Sequence, residues 1–363
     1  MVLSSEFWKG KKVMITGHTG FKGSWLCLWL HALGAEVTGY GLEPKSTPNL
    51  FTVAGVGELC RSVIADIRDQ GTLLQTLLEA QPEVIIHMAA QPLVRYSYQN
   101  PAETYEVNVM GTVYLLDAVR IAAAQDVHVR ALLNVTTDKC YENQEWDWGY
   151  REDDQLGGYD PYSNSKACSE LVTASYRSSY FNPDDYLSHG LCVATARAGN
   201  VIGGGDWSED RIIPDCMRAL HSGNKLLIRN PSATRPWQHV LEPLCGYLLL
   251  TQSMVQHGVE FSAAWNFGPS DENERDVEWL VWKIAELWGK DDFYELHSGP
   301  KPHEATNLRL DSSKARRKLG WFPKWNVERG LKHTIQWYQA YQRQDDMRRL
   351  CLEQLNAYTS NEI

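Results

Sequence analysis

Short apolar, β-branched runs punctuate the first part of the chain, at Lys12–Thr16, Glu36–Tyr40, Ser62–Ala65, Glu83–Met88, Arg130–Val135 and Cys192–Ala196. Apolar character sustained over so short a span marks a strand covered on both faces. Between several of these runs, apolar residues recur at helical spacing, over Ser24–Leu33, Asp69–Ala80, Thr104–Ala124 and Ser163–Ser179. Strand and helix taking turns predicts an α/β fold, a doubly wound sheet of parallel strands joined by crossover helices.

After about Asn200 the rhythm gives way to loops rich in glycine and proline, with Gly203-Gly204-Gly205 and prolines at 214, 231, 236 and 243. The pattern predicts that residues 1–200 form the sheet domain and that about 236–268 return to it, through Trp237–Ser253 and Ala264–Gly268. A smaller, discontinuous C-terminal domain would then comprise 201–235 and 269–345. Residues 346–363 are polar and show no clear helix start, so a tail or a frayed terminal helix is expected there.

Composition narrows the partners. The 363 residues include 35 Lys or Arg and 45 Asp or Glu, a formal charge of −10, with 43% hydrophobic residues. Such a chain folds without staples. Its acidic balance argues against nucleic acid and against an anionic membrane surface, while leaving room for a local basic pocket. The N-terminal residues lead straight into a strand, and the apolar runs near Trp25–Leu33 and Leu244–Leu250 are too short to span a bilayer. A soluble cytoplasmic protein is the simplest reading. The eight cysteines form no CxxC pair and no Cys/His cluster, so buried thiols are expected and no metal site.

The first chemical signal follows the first strand: Thr16-Gly17-His18-Thr19-Gly20-Phe21-Lys22-Gly23, opening a helix. Glycines at 17, 20 and 23 permit a tight turn, close approach of backbone to a pyrophosphate and close helix–strand packing. Plain turn glycines are the alternative, and the strand-to-helix context weighs against it. Asp66-Ile67-Arg68-Asp69 follows the third strand, where a carboxylate can accept from an adenine amino group and Asp69 can cap the next helix. Ala89 and Ala90, after the fourth strand, are small enough to let backbone approach a ribose or phosphate. The acid that usually ends the second strand and selects NAD over NADP is displaced to Glu43 or absent.

Tyr162 and Lys166 stand four residues apart, on one face of a helix. An ammonium and a cationic nicotinamide would both favour the phenolate, lowering the tyrosine pKa toward that of a useful base. Thr136-Thr137-Asp138-Lys139 ends the fifth strand at the edge where open parallel sheets place their sites.

Taken together, TGxxGxxG, the Asp66–Asp69 segment, Thr137-Asp138-Lys139 and the Tyr162/Lys166 pair resemble the extended short-chain dehydrogenase/reductases, over roughly Trp8 to Gln339. Within that group the chain resembles the nucleotide-sugar 4,6-dehydratases. Lys139, where dTDP-glucose enzymes carry Glu, is similar to the CDP-glucose branch, as are Gln91–Arg95 and Thr234–Val240.

The resemblance implies a Rossmann-like fold, NAD as a regenerated cofactor and CDP-glucose as substrate. It also implies a homodimer or homotetramer, for whose interface helices within Ala102–Ala124 and Ser163–Ser179 are candidates. The implied cofactor contacts are Gly17, Gly20, Phe21, Gly23, Asp66, Ile67, Ala89, Ala90, Tyr162 and Lys166. The implied catalytic set is Thr137, Asp138, Lys139, Tyr162 and Lys166. Tyr162 would take the C4 hydroxyl proton, Lys139 the C5 proton, and Asp138 would protonate the departing C6 hydroxyl. For the substrate, Arg95, Asn200, Arg211, Arg235 and His303 are the candidates, with Glu304 as a possible reader of the cytosine amino group; Arg211 and Arg197 are equally compatible with structural ion pairs. Trp25, Trp29, Trp237 and Trp321 are expected in the core. A GDP-mannose or dTDP-glucose dehydratase, or an epimerase, remains the alternative on the same fold.

Overall fold

The backbone spends its apolar runs on one sheet. In a computed structural model, which describes residues 2–228, 230–270, 273–290, 292–296 and 308–360, seven strands pair in parallel: β1 (Lys12–Thr16), β2 (Glu36–Gly41), β3 (Arg61–Ile64), β4 (Val84–His87), β5 (Ala131–Val135), β6 (Cys192–Ala198) and β7 (Ala264–Phe267). Their spatial order is β7-β6-β5-β4-β1-β2-β3. The winding reverses between β1 and β4, and a crevice at such a reversal is where open α/β sheets bind ligands. Thr16 and His87, the last residues of these two strands, lie side by side there.

Among the described residues nine longer helices accompany the sheet: α1 (Phe21–Ala32), α2 (Gln70–Ala80), α3 (Gly111–Ala123), α4 (Pro161–Ser179), α5 (Ile212–Ser222), α6 (Leu241–His257), α7 (Val277–Trp288), α8 (Val327–Gln342) and α9 (Met347–Thr359). Alternate strand residues feed two cores. Val13, Ile15, Ile86 and Leu133 pack with α1 and α6 on one face. Met14, Ile85, Leu132 and Val193 pack with α2 and α3 on the other, where Val172 and Tyr176 of α4 join them. Trp25, Trp29, Trp237 and Trp321 are all buried in the first core.

The helix expected over Thr104–Ala124 is present, running as Pro101–Tyr105, a π-helical turn at Glu106–Met110, and α3. The extra residue in the turn lets Asn108 point inward, where it accepts from Gln91 N at 2.8 Å and donates to Gln91 O at 3.1 Å. Of the tail or terminal helix expected near the end of the chain, the described residues form the helix: α9 is capped by Asp346 and buries Met347, Cys351, Leu355 and Tyr358. Those four positions keep a helical spacing that the surrounding polar residues obscure.

The middle of the chain returns to the sheet through α6 and β7, the latter pairing with β6. Beyond β6 three small pairings build the rest: Gln238–His239 with Val201–Ile202, Thr234–Pro236 with Glu274–Asp276, and Tyr294–Leu296 with Leu226–Ile228. Among the described residues no helix is long and apolar enough to cross a membrane.

Candidate active site

The loop after β1 is built for close approach. Gly17 adopts φ +80°, and a side chain there would meet Ala89 N at 2.8 Å. A side chain at Gly23 would sit 2.1 Å from Gly17 O, so α1 can rest on the turn only with glycine in that place. Gly20 caps α1 without a side-chain bond, and the first turn carries no acid. The opening amides of α1 are thereby left for an anion, which a cofactor pyrophosphate would satisfy. Phe21 opens this helix against Gly203.

Around this cradle the other cofactor candidates are only partly as expected. Ala89 N donates to Thr16 Oγ1 at 3.1 Å, fixing the backbone that carries Ala89 and Ala90. Ile67 is buried and packs on Gly111. Asp66 is clasped by Arg68 through its amide, Nε and Nη2, at 2.9, 3.0 and 2.7 Å. These bonds hold the Asp66 carboxyl below its usual range, with much of its acceptor capacity spent inside the chain. Asp69 does cap α2, accepting from Thr72 N. β2 ends at Gly41, and Glu43 beyond it is exposed.

The catalytic candidates converge at the carboxyl end of β5. Asp138 is almost fully buried: Thr137 Oγ1 donates to its Oδ1 at 2.9 Å, and a side chain on Gly199 would sit 2.9 Å from its Oδ2. Lys139, a third exposed, places Nζ 3.9 Å from Asp138 Oδ1. Helix α4 begins with Pro161 and is capped by Asp160, which delivers Tyr162 into the crevice on the first turn. Tyr162 N donates to Ser97 Oγ at 3.1 Å, and the phenol hydrogen-bonds Thr137.

One turn on, Lys166 Nζ donates to Val135 O at 3.0 Å. Burial pulls this lysine down to about 8, against the attraction of Glu170. Burial also pushes the Tyr162 phenol up to about 12, although Thr137 and Arg211 pull it the other way. The sequence-based expectation of a lowered phenol is therefore reversed for the polypeptide alone, because desolvation outweighs the neighbouring positive charge.

On the facing side, Arg211 is drawn toward the phenol by its loop and ion-paired to the nearly buried Asp206 at 2.8 Å. Arg95 pairs with Asp210 on the same loop. Arg235 lies directly across from Arg275 in the Thr234–Pro236 pairing and donates to Thr234 O at 2.9 Å. Asn200 follows β6, its carbonyl accepting from Gln238 N at 3.3 Å. Arg197 is structural, a buried partner of Glu170 at 2.9 Å. His303 and Glu304 lie outside the described residues.

A sequence model of the GDP-mannose 4,6 dehydratase family matches residues 14–334. The chain belongs to that family. It is 50% identical over 359 residues to the CDP-glucose 4,6-dehydratase of Salmonella typhimurium, covering 99% of both proteins. It is 29% identical to the dTDP-glucose 4,6-dehydratase of Streptomyces antibioticus, over 90% of this chain and 92% of that one. Among solved structures, the dTDP-glucose 4,6-dehydratase of Streptomyces venezuelae with NAD bound superposes with a TM-score of 0.76 at 26% identity, over 92% of this chain and 98% of that one. The fold is shared more widely: UDP-glucose 4-epimerase from Thermotoga maritima gives a TM-score of 0.78 at 21% identity, over 91% and 99% of the two chains.

This member of the GDP-mannose 4,6-dehydratase family also places residues at the site that the sequence reading passed over. Lys22, within the glycine motif, is pulled down to about 8 by burial and by Arg211, with Asp138 and Lys166 close enough to act on it. Its signal in the sequence is its place inside the glycine motif, between Phe21 and Gly23. Glu170 had none: its bonds to Thr136, Thr195 at 2.6 Å and Arg197 at 2.9 Å come from β5 and β6, joined to α4 only by folding.

Proposed function

We propose that this protein dehydrates CDP-D-glucose to CDP-4-dehydro-6-deoxy-D-glucose. The observation that carries the reading is the buried Asp138, with Lys139 beside it, set between Thr137 and Gly199 next to the Tyr162 phenol. A hydride transfer alone needs only the Tyr/Lys pair; an added acid and base at the same crevice suit an elimination. The 50% identical Salmonella typhimurium CDP-glucose 4,6-dehydratase supports the choice of nucleotide.

Tyr162 takes the proton from the sugar C4 hydroxyl, steadied by Thr137. The C4 carbonyl acidifies the proton at C5, which Lys139 removes. Asp138 in its neutral form donates a proton to the C6 hydroxyl as it leaves, and a neutral Asp138 no longer draws a proton onto Lys139. The opening amides of α1 would hold the pyrophosphate of NAD, which would supply the hydride acceptor and donor this redox-neutral reaction requires.

The segments 201–235 and 269–345 form the nucleotide-sugar side in this reading. Arg95, Asn200, Arg211, Arg235 and His303 meet the substrate, Arg211 and Arg95 exchanging carboxylate for diphosphate. The working state is a cytoplasmic homodimer or homotetramer, for which the exposed Met110, Leu171 and Tyr180 on or beside α3 and α4 offer contacts. The test is to incubate purified protein with CDP-, dTDP-, UDP- and GDP-hexoses and to follow the alkali-induced absorbance of a 4-keto sugar. Product from CDP-glucose supports the reading, product from another nucleotide alone replaces the base, and none from any sinks the dehydratase.

A further inference from the structure

Between the glycine loop and the catalytic helix runs a buried row of polar side chains whose hydrogen bonds converge on Thr112. Thr16 Oγ1, at the end of β1, accepts from Met88 N and Ala89 N, both at 3.1 Å. Met88 N is shared with Thr16 O at 3.0 Å, while Ala89 N is given to Oγ1, and we assign the Thr16 proton to His87 Nδ1, 2.6 Å away. His87 is 2% exposed, and burial together with the nearby Lys166 pushes it down to about 3, leaving the ring neutral. With Nδ1 accepting, the ring proton sits on Nε2 and faces Thr112 Oγ1 at 3.4 Å. Thr112 gives its own proton to Asn108 O at 2.8 Å, so it receives from Ser169 at 2.9 Å. Ser169 in turn accepts from Asn134 Nδ2 at 2.9 Å, and the same amide donates to Thr173 at 2.8 Å.

Ser169 lies on α4 seven residues beyond Tyr162, about 10 Å along the helix axis. It shares the inward face with Lys166 and Thr173. The row therefore begins at the residue that fixes Ala89 beside the cofactor cradle and ends on the helix that carries the phenol and the ammonium.

We propose that Thr16, His87, Thr112 and Ser169 form a hydrogen-bond chain, converging on Thr112, that sets the distance between the cofactor loop and Tyr162, with His87 as the central positioning residue. The proposal rests on Tyr162 being the proton acceptor of the reaction. A chain of this kind suits the task because each bond tolerates one donor and one geometry, whereas apolar packing leaves a helix free to shift by fractions of an ångström. Misplacement on that scale is enough to slow a positioned transfer.

The variants separate the two links. In His87→Asn the amide oxygen falls near the Nδ1 position and keeps the Thr16 bond, but nothing reaches Thr112. Thr112→Val removes the same link from the other end. Each is expected to lower kcat for CDP-glucose about tenfold, with KM and NAD affinity within twofold and an increased deuterium isotope effect at C4. The double variant is expected to be no slower than either single one, because both break one chain. A kcat within twofold of wild type in His87→Asn, losses that multiply in the double variant, or losses that merely follow the folded fraction would each overturn the proposal. A second readout needs no turnover: nitrogen NMR of the wild-type imidazole should show the neutral Nε2–H form from pH 5 to 9, and an Nδ1–H form or a cation would overturn the chain whatever the enzyme does. Wild-type protein that leaves CDP-glucose unchanged would count against the reaction instead.

Discussion

Helices α1 and α4 both press against the sheet, on opposite faces, and they do so with opposite chemistry. From Gly23 to Leu30 every residue of α1 is buried, including Trp25, Leu26, Leu28, Trp29 and Leu30, between the strands and α9. The buried residues of α4 are Ser163, Ser165, Lys166, Ala167, Ser169, Glu170 and Thr173, nearly all polar and several bonded to strand ends. Apolar contact is strong in sum but has no direction, so it holds α1 in place without fixing its neighbours to a fraction of an ångström. Hydrogen bonds contribute less each, but they are geometrically strict, and a broken one leaves a buried group unpaired. The helix that stabilises is greasy; the helix that must aim a phenol is polar.

Breaking the functional side of this contrast has the largest effect. Tyr162→Phe removes the hydroxyl proposed to take the C4 proton and should lower kcat between about a thousand and ten thousandfold, with the melting temperature nearly unchanged. Assay of 4-keto sugar formation beside a thermal melt checks both halves. On the other helix, Trp29→Ala empties a fully buried site and should cost about 3–5 kcal/mol of stability in urea, while the activity of the fraction still folded is retained. Equal damage to activity would erase the division of labour.

The comparison sharpens at smaller scale. Thr173→Val strips an acceptor from Asn134 Nδ2 deep under the sheet and should cost about 1–3 kcal/mol despite keeping the volume. A loss below the error of a urea titration would mean that α4 is held by its few apolar contacts. Lys166 offers a test by pH. Its folded-state pKa is depressed to about 8 from 10.5, so the folded chain binds fewer protons between those values. The penalty for burying the charge is complete below about pH 8 and is relieved as pH rises toward about 10. Wild type should therefore gain on Lys166→Met over that window, by at most about 1.4 kcal/mol per pH unit. A difference that stays flat would place the ammonium in water. The smallest effect is expected from Asp160→Ala, which removes the cap ahead of Tyr162 and should cost about 1 kcal/mol in a thermal melt.

Much of the sheet was legible because buried parallel strands leave a signature that needs no tertiary knowledge. β1 matches its expected range and β4 is one residue shorter at each end, whereas β6 runs on to Ala198. The π-helical turn at Asn108 was invisible, since its partner is the Gln91 backbone arriving from another segment. Among the candidate site residues, Tyr162, Lys166, Thr137 and Asp138 stand out in the sequence because their spacing within short motifs already reports on one face or one strand end. Lys22 was passed over inside a recognised motif, and Glu170 because its partners come from β5 and β6.

By itself, the sequence determined the order of strands and helices, the glycine turn that only small residues can form, and the pairing of phenol and amine on one helical face. These depend on neighbours a few positions apart, where periodicity and backbone sterics act. Tertiary structure alone decided how the charges stand: that desolvation raises Tyr162 while it lowers Lys166, that Asp66 is clasped by Arg68, and that Thr16, His87, Thr112 and Ser169 line up as donors and acceptors. Burial and hydrogen-bond direction arise where distant segments meet, and no local pattern carries them.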